Sequence, residues 1–77
     1  HIDFKEIILS VNDNNLTNIT VDLSEVEFID SAALGMLLLL RDEIERNGKN
    51  LSLKNPNGQV KKMFQVSRFY DLFKIIE

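Results

Sequence analysis

The stretch Phe28-Ile29-Asp30-Ser31-Ala32-Ala33-Leu34-Gly35-Met36-Leu37-Leu38-Leu39-Leu40 decides how the rest of the chain is read. Its apolar run, Ala32 to Leu40 with Gly35 inside it, has nine residues. A membrane-spanning helix needs about 20, so membrane insertion is not expected and the run belongs to a globular helix. A helix is expected over Ser31–Asn47, stopped by Gly48 at the usual C-terminal glycine position. At the helical turn of about 100° per residue, Ala33, Leu37, Leu40 and Ile44 gather on one side and are expected to face a sheet. Opposite them stand Ser31, Gly35, Leu38 and Asp42, with Leu34 and Leu39 flanking that second stripe. Two readings of this outer stripe stay open on the pattern alone. The helix is buried on both sides by its own domain, with Ser31 as a simple N-cap, or the stripe is a docking face in which apolar area surrounds a lone hydroxyl. Gly35 costs a helix interior about 1 kcal/mol relative to Ala, which points to a close approach at that position. Ser31 stands where free backbone N–H groups and the positive end of the helix dipole meet. The fold tolerates a phosphate there, while about −1.5 to −2 added charges beside Asp30 would abolish an apolar interface.

Working outward, Phe4, Ile7, Ile8 and Val11 fall at i, i+3, i+4 and i+7 and predict an amphipathic helix. Asp3 and Glu6 have the spacing of a capping box, and Asn12 to Asn15 reads as the turn that ends it. Asn18–Leu23 alternates Ile19, Val21 and Leu23 with Thr20 and Asp22 and predicts a strand. Ser24–Asp30 is a connection in which Val26, Phe28 and Ile29 are available for packing. After the long helix, Leu51–Leu53 predicts a short strand and Asn55-Pro56-Asn57-Gly58 a turn. A helix follows near Gln59–Val66 with Val60, Met63, Phe64 and Ser67 on its inner face. One more helical turn is expected over Phe69–Phe73, and a closing strand over Lys74–Ile76. Strands alternating with helices predict right-handed crossovers and a small parallel sheet, the α/β class.

Composition limits the function. Seventy-seven residues make a single domain, and such a chain buries only roughly 60% of its unfolded surface. The hydrophobic fraction is 44% and the charged fraction 27%, as in a folded domain. No cysteine is present, which excludes a disulfide scaffold, a thiolate metal site and a cysteine nucleophile. The one histidine is His1, so histidine catalysis and His-rich metal sites have no support. Nine basic and twelve acidic residues give a net charge of −3, which repels nucleic acid. Ser31 has no base near it in sequence, and no glycine-rich loop carries a Lys toward a phosphate. The chain is not expected to be an enzyme or to hold a cofactor. A receiver domain with Asp30 as phosphoacceptor would need its paired, metal-holding acidic residues to lie in a missing N-terminal part, and is disfavoured. Lys61-Lys62 reads as a solvated face, and Phe64, Phe69, Tyr70 and Phe73 as packing residues. With no leader pattern, a cytoplasmic location is expected.

Val21-Asp22-Leu23, then Phe28-Ile29-Asp30-Ser31, then Leu34-Gly35, the Asn55-Pro56 turn and the Phe69–Phe73 segment together resemble a STAS domain. That is the fold of bacterial anti-sigma-factor antagonists, and the resemblance runs from about Phe4 to the end. It implies a phosphorylation-controlled module of partner-switching signal transduction. Ser31 would be the phosphoacceptor, with a serine kinase that doubles as anti-sigma factor and a phosphatase as partners. Asp30, Ser31, Leu34, Gly35, Leu38 and Asp42 are the expected partner-binding residues. The family often has Ser-Gly where this chain has Ala32-Ala33. Other members are docking parts of lipid- or anion-transport complexes and use the same helix without a phosphoswitch. STAS domains begin with further strands, and the first residue is not Met. Residues 1–77 are therefore expected to form one STAS-like domain that is incomplete at its N-terminus. The strand at Asn18–Leu23 would then expose an edge and apolar side chains on both sheet faces, which invites a homodimer through that edge.

Overall fold

A computed structural model describes residues 17–77. The expected helix over Phe4–Val11, with its cap and turn, lies outside the described residues. Three strands, β1 (Asn18–Asp22), β2 (Asn50–Lys54) and β3 (Lys74–Ile76), form one sheet in the order β1-β2-β3. Both pairings are parallel, with Ile19 opposite Leu51, Val21 opposite Leu53, and Leu53 opposite Ile75. The helices are α1 (Ser31–Arg46), between β1 and β2, then α2 (Gly58–Val66) and the single turn α3 (Phe69–Leu72), between β2 and β3. Each expected element from Asn18 onward is present, with ends displaced by one residue or none.

Alternation along the strands decides where the core lies. Ile19, Val21, Leu51 and Leu53 are buried, while Asn18, Thr20, Asp22, Asn50 and Lys54 are exposed. In register, Asn18 meets Asn50, Thr20 meets Ser52 and Asp22 meets Lys54, so the second face of the sheet is a polar ladder. The expectation of apolar side chains on both faces is corrected accordingly. Asp22 also ends β1. Its Oδ1 accepts the Ser24 N–H at 2.9 Å, and that bond, aided by Lys54, holds its carboxyl below the usual range.

On the other face Leu37 and Ile44 of α1, Leu53 of β2, and Val60 and Phe64 of α2 are fully buried with Leu23. Phe64, Phe69 and Phe73 continue this core as a stack, with ring centroids 5.1 Å and 4.7 Å apart. The Arg41 guanidinium lies 5.8 Å from the centroid of the Phe73 ring. In the β1–α1 connection Val26 and Ile29 pack as expected, but Phe28 is 62% exposed. Val26 and Ile29 take the buried positions of this connection, and Glu27 and Phe28 between them are exposed.

Helix ends follow local chemistry. The Gly48 N–H donates to the Glu45 carbonyl at 3.0 Å, the Lys49 N–H to Ile44 at 3.0 Å, and Gly48 has φ 72°. This is the paired closing pattern that needs a left-handed residue just beyond the helix. The last strand is fastened by side chains. The Tyr70 hydroxyl donates to Glu77 Oε1 at 2.7 Å, and Lys61 Nζ lies 3.3 Å from the same oxygen. Desolvation, then this bond and the charge of Glu77, push the Tyr70 phenol up to about 12.

Tyr70 is the only tyrosine and the chain has no tryptophan, so phenolate absorbance near 295 nm reports it alone. Its midpoint is expected close to 12 in the folded chain, against about 10 for a free phenol. A raised folded value favours the neutral form. The contribution to stability is therefore full below about pH 10 and is lost as pH rises toward 12. A midpoint at the free value would show that the Tyr70–Glu77 contact does not persist in solution.

Candidate functional site

Parallel pairing places the start of α1 and the start of α2 at the same pole, where β1 and β2 end. The segment from Leu23 to Asp30 and the turn from Asn55 to Asn57 lie there too. Two side chains of the second connection hold the first. The Asn57 amide donates to the Ser24 carbonyl at 3.2 Å. The Gln59 amide both accepts from the Ile29 N–H and donates to the Ile29 carbonyl, each at 2.9 Å.

Asp30 is the N-cap of α1. Its backbone is extended (φ −107°, ψ 176°), and its Oδ1 accepts the Ala33 N–H at 2.8 Å. Of the two readings left open by the sequence, the one with Ser31 as a simple N-cap is not what the structure shows. A carboxylate accepts an N–H more strongly than a hydroxyl does, and Asp30 has the non-helical backbone that a cap requires. Ser31 is instead the first helical residue. Its side chain is exposed, and no cap bond engages its hydroxyl, since Asp30 supplies the cap.

The remaining expected residues separate. Ser31 and Asp42 are exposed and Gly35 and Leu38 half-buried, and their spacing sets all four along one side of α1. Leu38 also packs against the core. Leu34 does not belong with them. It is 7% exposed and joins the core with Leu37, Leu40 and Ile44, while Ala33, expected innermost, is only partly buried against the core. The buried arc is centred on Leu37, and Leu34 lies about 60° from that centre; a leucine fills the space beside the sheet better than an alanine. On the outer side Met36 is 45% and Leu39 65% exposed. They follow Ala32, also exposed, as an apolar stripe beside the Ser31 row. Met36 and the outward ring of Phe28 were missed as candidates. A wheel recentred on Leu37 finds Met36, whereas nothing in the local sequence distinguishes Phe28 from Ile29.

A Cβ built at Gly35 meets nothing within 4 Å. Among the described residues no close approach requires this glycine, and the flat spot opens outward. Two depressions among the described residues lie elsewhere. One, of about 330 Å³, is at the strand starts beside Arg41 and Glu45; the other, of about 490 Å³, is beside Arg68 and Tyr70. Among the described residues no three His, Cys, Asp or Glu side chains are grouped to hold a metal, and no helix is long and apolar enough to cross a membrane.

Gly35→Ala is expected to raise stability by about 0.5–1 kcal/mol, since the methyl meets open space and helix propensity improves. Leu37→Ala is expected to lose about 2–5 kcal/mol. Leu39→Glu should leave the urea midpoint nearly unchanged, whereas Leu38→Glu should lower it because Leu38 also touches the core. A destabilised Gly35→Ala would place a neighbour against that face.

The comparisons agree with this geometry. The family model described as "Mlab, STAS domain" matches residues 3–76. A STAS-domain-containing protein of Pseudomonas aeruginosa (strain UCBPP-PA14) is 47% identical over 55 residues, which cover 71% of this chain and 54% of that protein. A crystal structure from Thermotoga maritima, of a protein assigned as an anti-sigma factor antagonist, superposes with a TM-score of 0.72. It is 30% identical, and the match covers 77% of this chain and 50% of that one. The chain thus spans about half the length of the relatives it matches. With the three-stranded parallel sheet and the serine at the head of its first described helix, the match over residues 3–76 makes this chain a member of the STAS-domain family.

Proposed function

We propose that this chain is a phosphorylation-controlled protein-interaction module of the anti-sigma-factor-antagonist type, and not an enzyme. Its partner is a serine-kinase/anti-sigma-type protein that binds the unphosphorylated form, and a phosphatase restores that form. The observation that carries the proposal is the exposed Ser31 at the first position of α1, beside a stripe in which Met36 and Leu39 are exposed among the described residues. The Thermotoga maritima neighbour, assigned as an anti-sigma factor antagonist, supports the same reading. The partner surface consists of Asp30, Ser31, Gly35, Leu38 and Asp42, with Met36 and Leu39 added from the exposed side. Leu34 contributes by holding the helix in place.

A second reading draws on a different observation. Met36 and Leu39 offer apolar area that needs no phosphate to be useful, which suits a docking subunit of a lipid- or anion-transport complex without a phosphoswitch. Substitutions separate the two. Leu39→Glu should lose the partner under either reading. Ser31→Asp should weaken binding at least about tenfold under the switch reading alone, while Ser31→Ala binds and resists regulation. Phosphosite mapping of the protein isolated from its own cells completes the test. Phosphate on Ser31, together with loss of partner in Ser31→Asp, is the expected outcome. Equal retention of partner by both serine variants, with Ser31 unmodified, would leave the docking-subunit reading.

A further inference from the structure

The segment that leads into the serine has little regular structure of its own. Leu23 to Asp30 lie in neither helix nor strand, yet Val26 and Ile29 are buried, Ile29 at 3% exposure. A main chain held this close to a core must still find partners for its N–H and C=O groups. At Ile29 one side chain, Gln59, supplies both. Its Oε1 accepts the Ile29 N–H and its Nε2 donates to the Ile29 carbonyl, at 2.9 Å each, across thirty residues of sequence. A primary amide offers an acceptor and a donor side by side in one plane, and unlike a carboxyl it does so without charge at neutral pH. Gln59 thus imitates one rung of a strand pair. Ile29 immediately precedes the N-cap Asp30, so the position of this rung sets where the Asp30 carboxylate and the Ser31 hydroxyl stand.

We propose that Gln59 is a positioning residue of the serine site: its amide clamps the Ile29 peptide groups and so fixes the Asp30 cap and the first turn of α1. Neither the apolar core nor the cap bond can replace it. The core holds the Ile29 side chain but leaves the peptide free to rotate, and Asp30 caps the helix from the far side of that peptide. The inference bears on regulation only if Ser31 is the phosphoacceptor, but its test uses no kinase. Its failure is therefore distinct from the failure of the switch reading.

Amide hydrogen exchange on the chain and two variants tests the clamp. In Gln59→Ala the amides of Ile29 and Ala33 should exchange at least about tenfold faster, while the amide of Leu53 in β2 changes much less. Gln59→Glu should behave as a pH-controlled clamp. Below the ordinary glutamate value of about 4.3 its carboxyl is neutral, has one donor and one acceptor, and should restore wild-type protection at Ile29. As pH rises through its titration the donor is lost, a negative oxygen faces the Ile29 carbonyl, and protection should fall to the level of Gln59→Ala. The charged groups near Ile29 and Gln59 in sequence, Glu27, Asp30, Lys61 and Lys62, are also present in wild type and in Gln59→Ala, whose own pH dependence gives the baseline for their direct effect on exchange; their charges displace the midpoint of the Gln59→Glu transition but not its direction. The chain has no cysteine, so Ser31→Cys provides a single thiol at the site. A thiol at a helix start titrates below its free value. Adding Gln59→Ala should therefore move the pH midpoint of its reaction with a thiol reagent upward. Uniform acceleration of all amides in Gln59→Ala, no recovery of Gln59→Glu at low pH, or an unmoved thiol midpoint would overturn the proposal.

Discussion

Parallel pairing is the constraint on which the rest of this molecule depends. Two parallel strands cannot be joined by a tight hairpin; the chain must travel back the length of the sheet before it can pair again. Here α1 makes that return after β1, and α2 with α3 makes it after β2. All the departures from the sheet therefore occur at one pole. This is how Asp30, Ser31, Asn57 and Gln59 come to share a surface although the two pairs are far apart in the chain. Residues at this pole are free to vary in chemistry because the sheet register is set elsewhere, by the buried Ile19–Leu51 and Val21–Leu53 neighbours. That division, between strands that hold the shape and strand ends that present the chemistry, is common to open α/β sheets.

The burial is one-sided, and this fixes the task of each helix. A parallel sheet usually has both faces covered. In residues 17–77 one face packs against Leu37, Ile44 and Phe64, while the other displays Asn18, Thr20, Asp22 and their β2 partners. α1 must therefore give its best apolar arc to the sheet, and Leu34, Leu37, Leu40 and Ile44 form that arc. The remaining apolar residues, Met36 and Leu39, are in excess of what the core can use. A single exposed leucine requires no explanation. Here two exposed apolar side chains stand on one flank of the helix, next to the half-buried Gly35 and the exposed Ser31, and this is the face to which the proposed function assigns the partner.

Much of this was legible in sequence because it rests on periodicity. Alternation at Asn18–Leu23, the glycine after the long helix, the Asn-Pro turn and the short final strand all appear where the pattern places them. The errors fall where a single angle or a single hydrogen bond decides. Leu34 was assigned to the outer face because the wheel was anchored on Ser31, whereas the buried arc centres on Leu37. Asp30 and Ser31 are both good caps by residue type, and only the backbone angles of Asp30 distinguish them. The outward position of Phe28 goes with the burial of Val26 and Ile29 in the same connection. Gln59 was invisible for a different reason. Its two bonds span thirty residues, and no local pattern marks a glutamine that serves a distant peptide group.

The electrostatics of the α1 start bear on whether the proposed switch changes the fold or only the surface. A phosphate on Ser31 would gain about 0.3–1 kcal/mol from the dipole at the helix start. The Asp30 carboxylate opposes it. At a few ångströms in water, each pair of like charges costs about 1 kcal/mol, and Asp30 cannot retreat without giving up its bond to the Ala33 N–H. With about −1.5 to −2 charges on the phosphate, the repulsion of about 1.5–2 kcal/mol exceeds the dipole's contribution by about 1 kcal/mol, so the modification would bring the domain no net stabilisation. The face itself would change a great deal, because about −1.5 to −2 charges would then stand within a turn of Gly35 and beside the exposed Met36 and Leu39. A partner that buries this face would have to desolvate the phosphate or leave. Under the proposed switch, the capping carboxylate of Asp30 would keep modification from being absorbed as helix stabilisation and would direct its cost onto the interface.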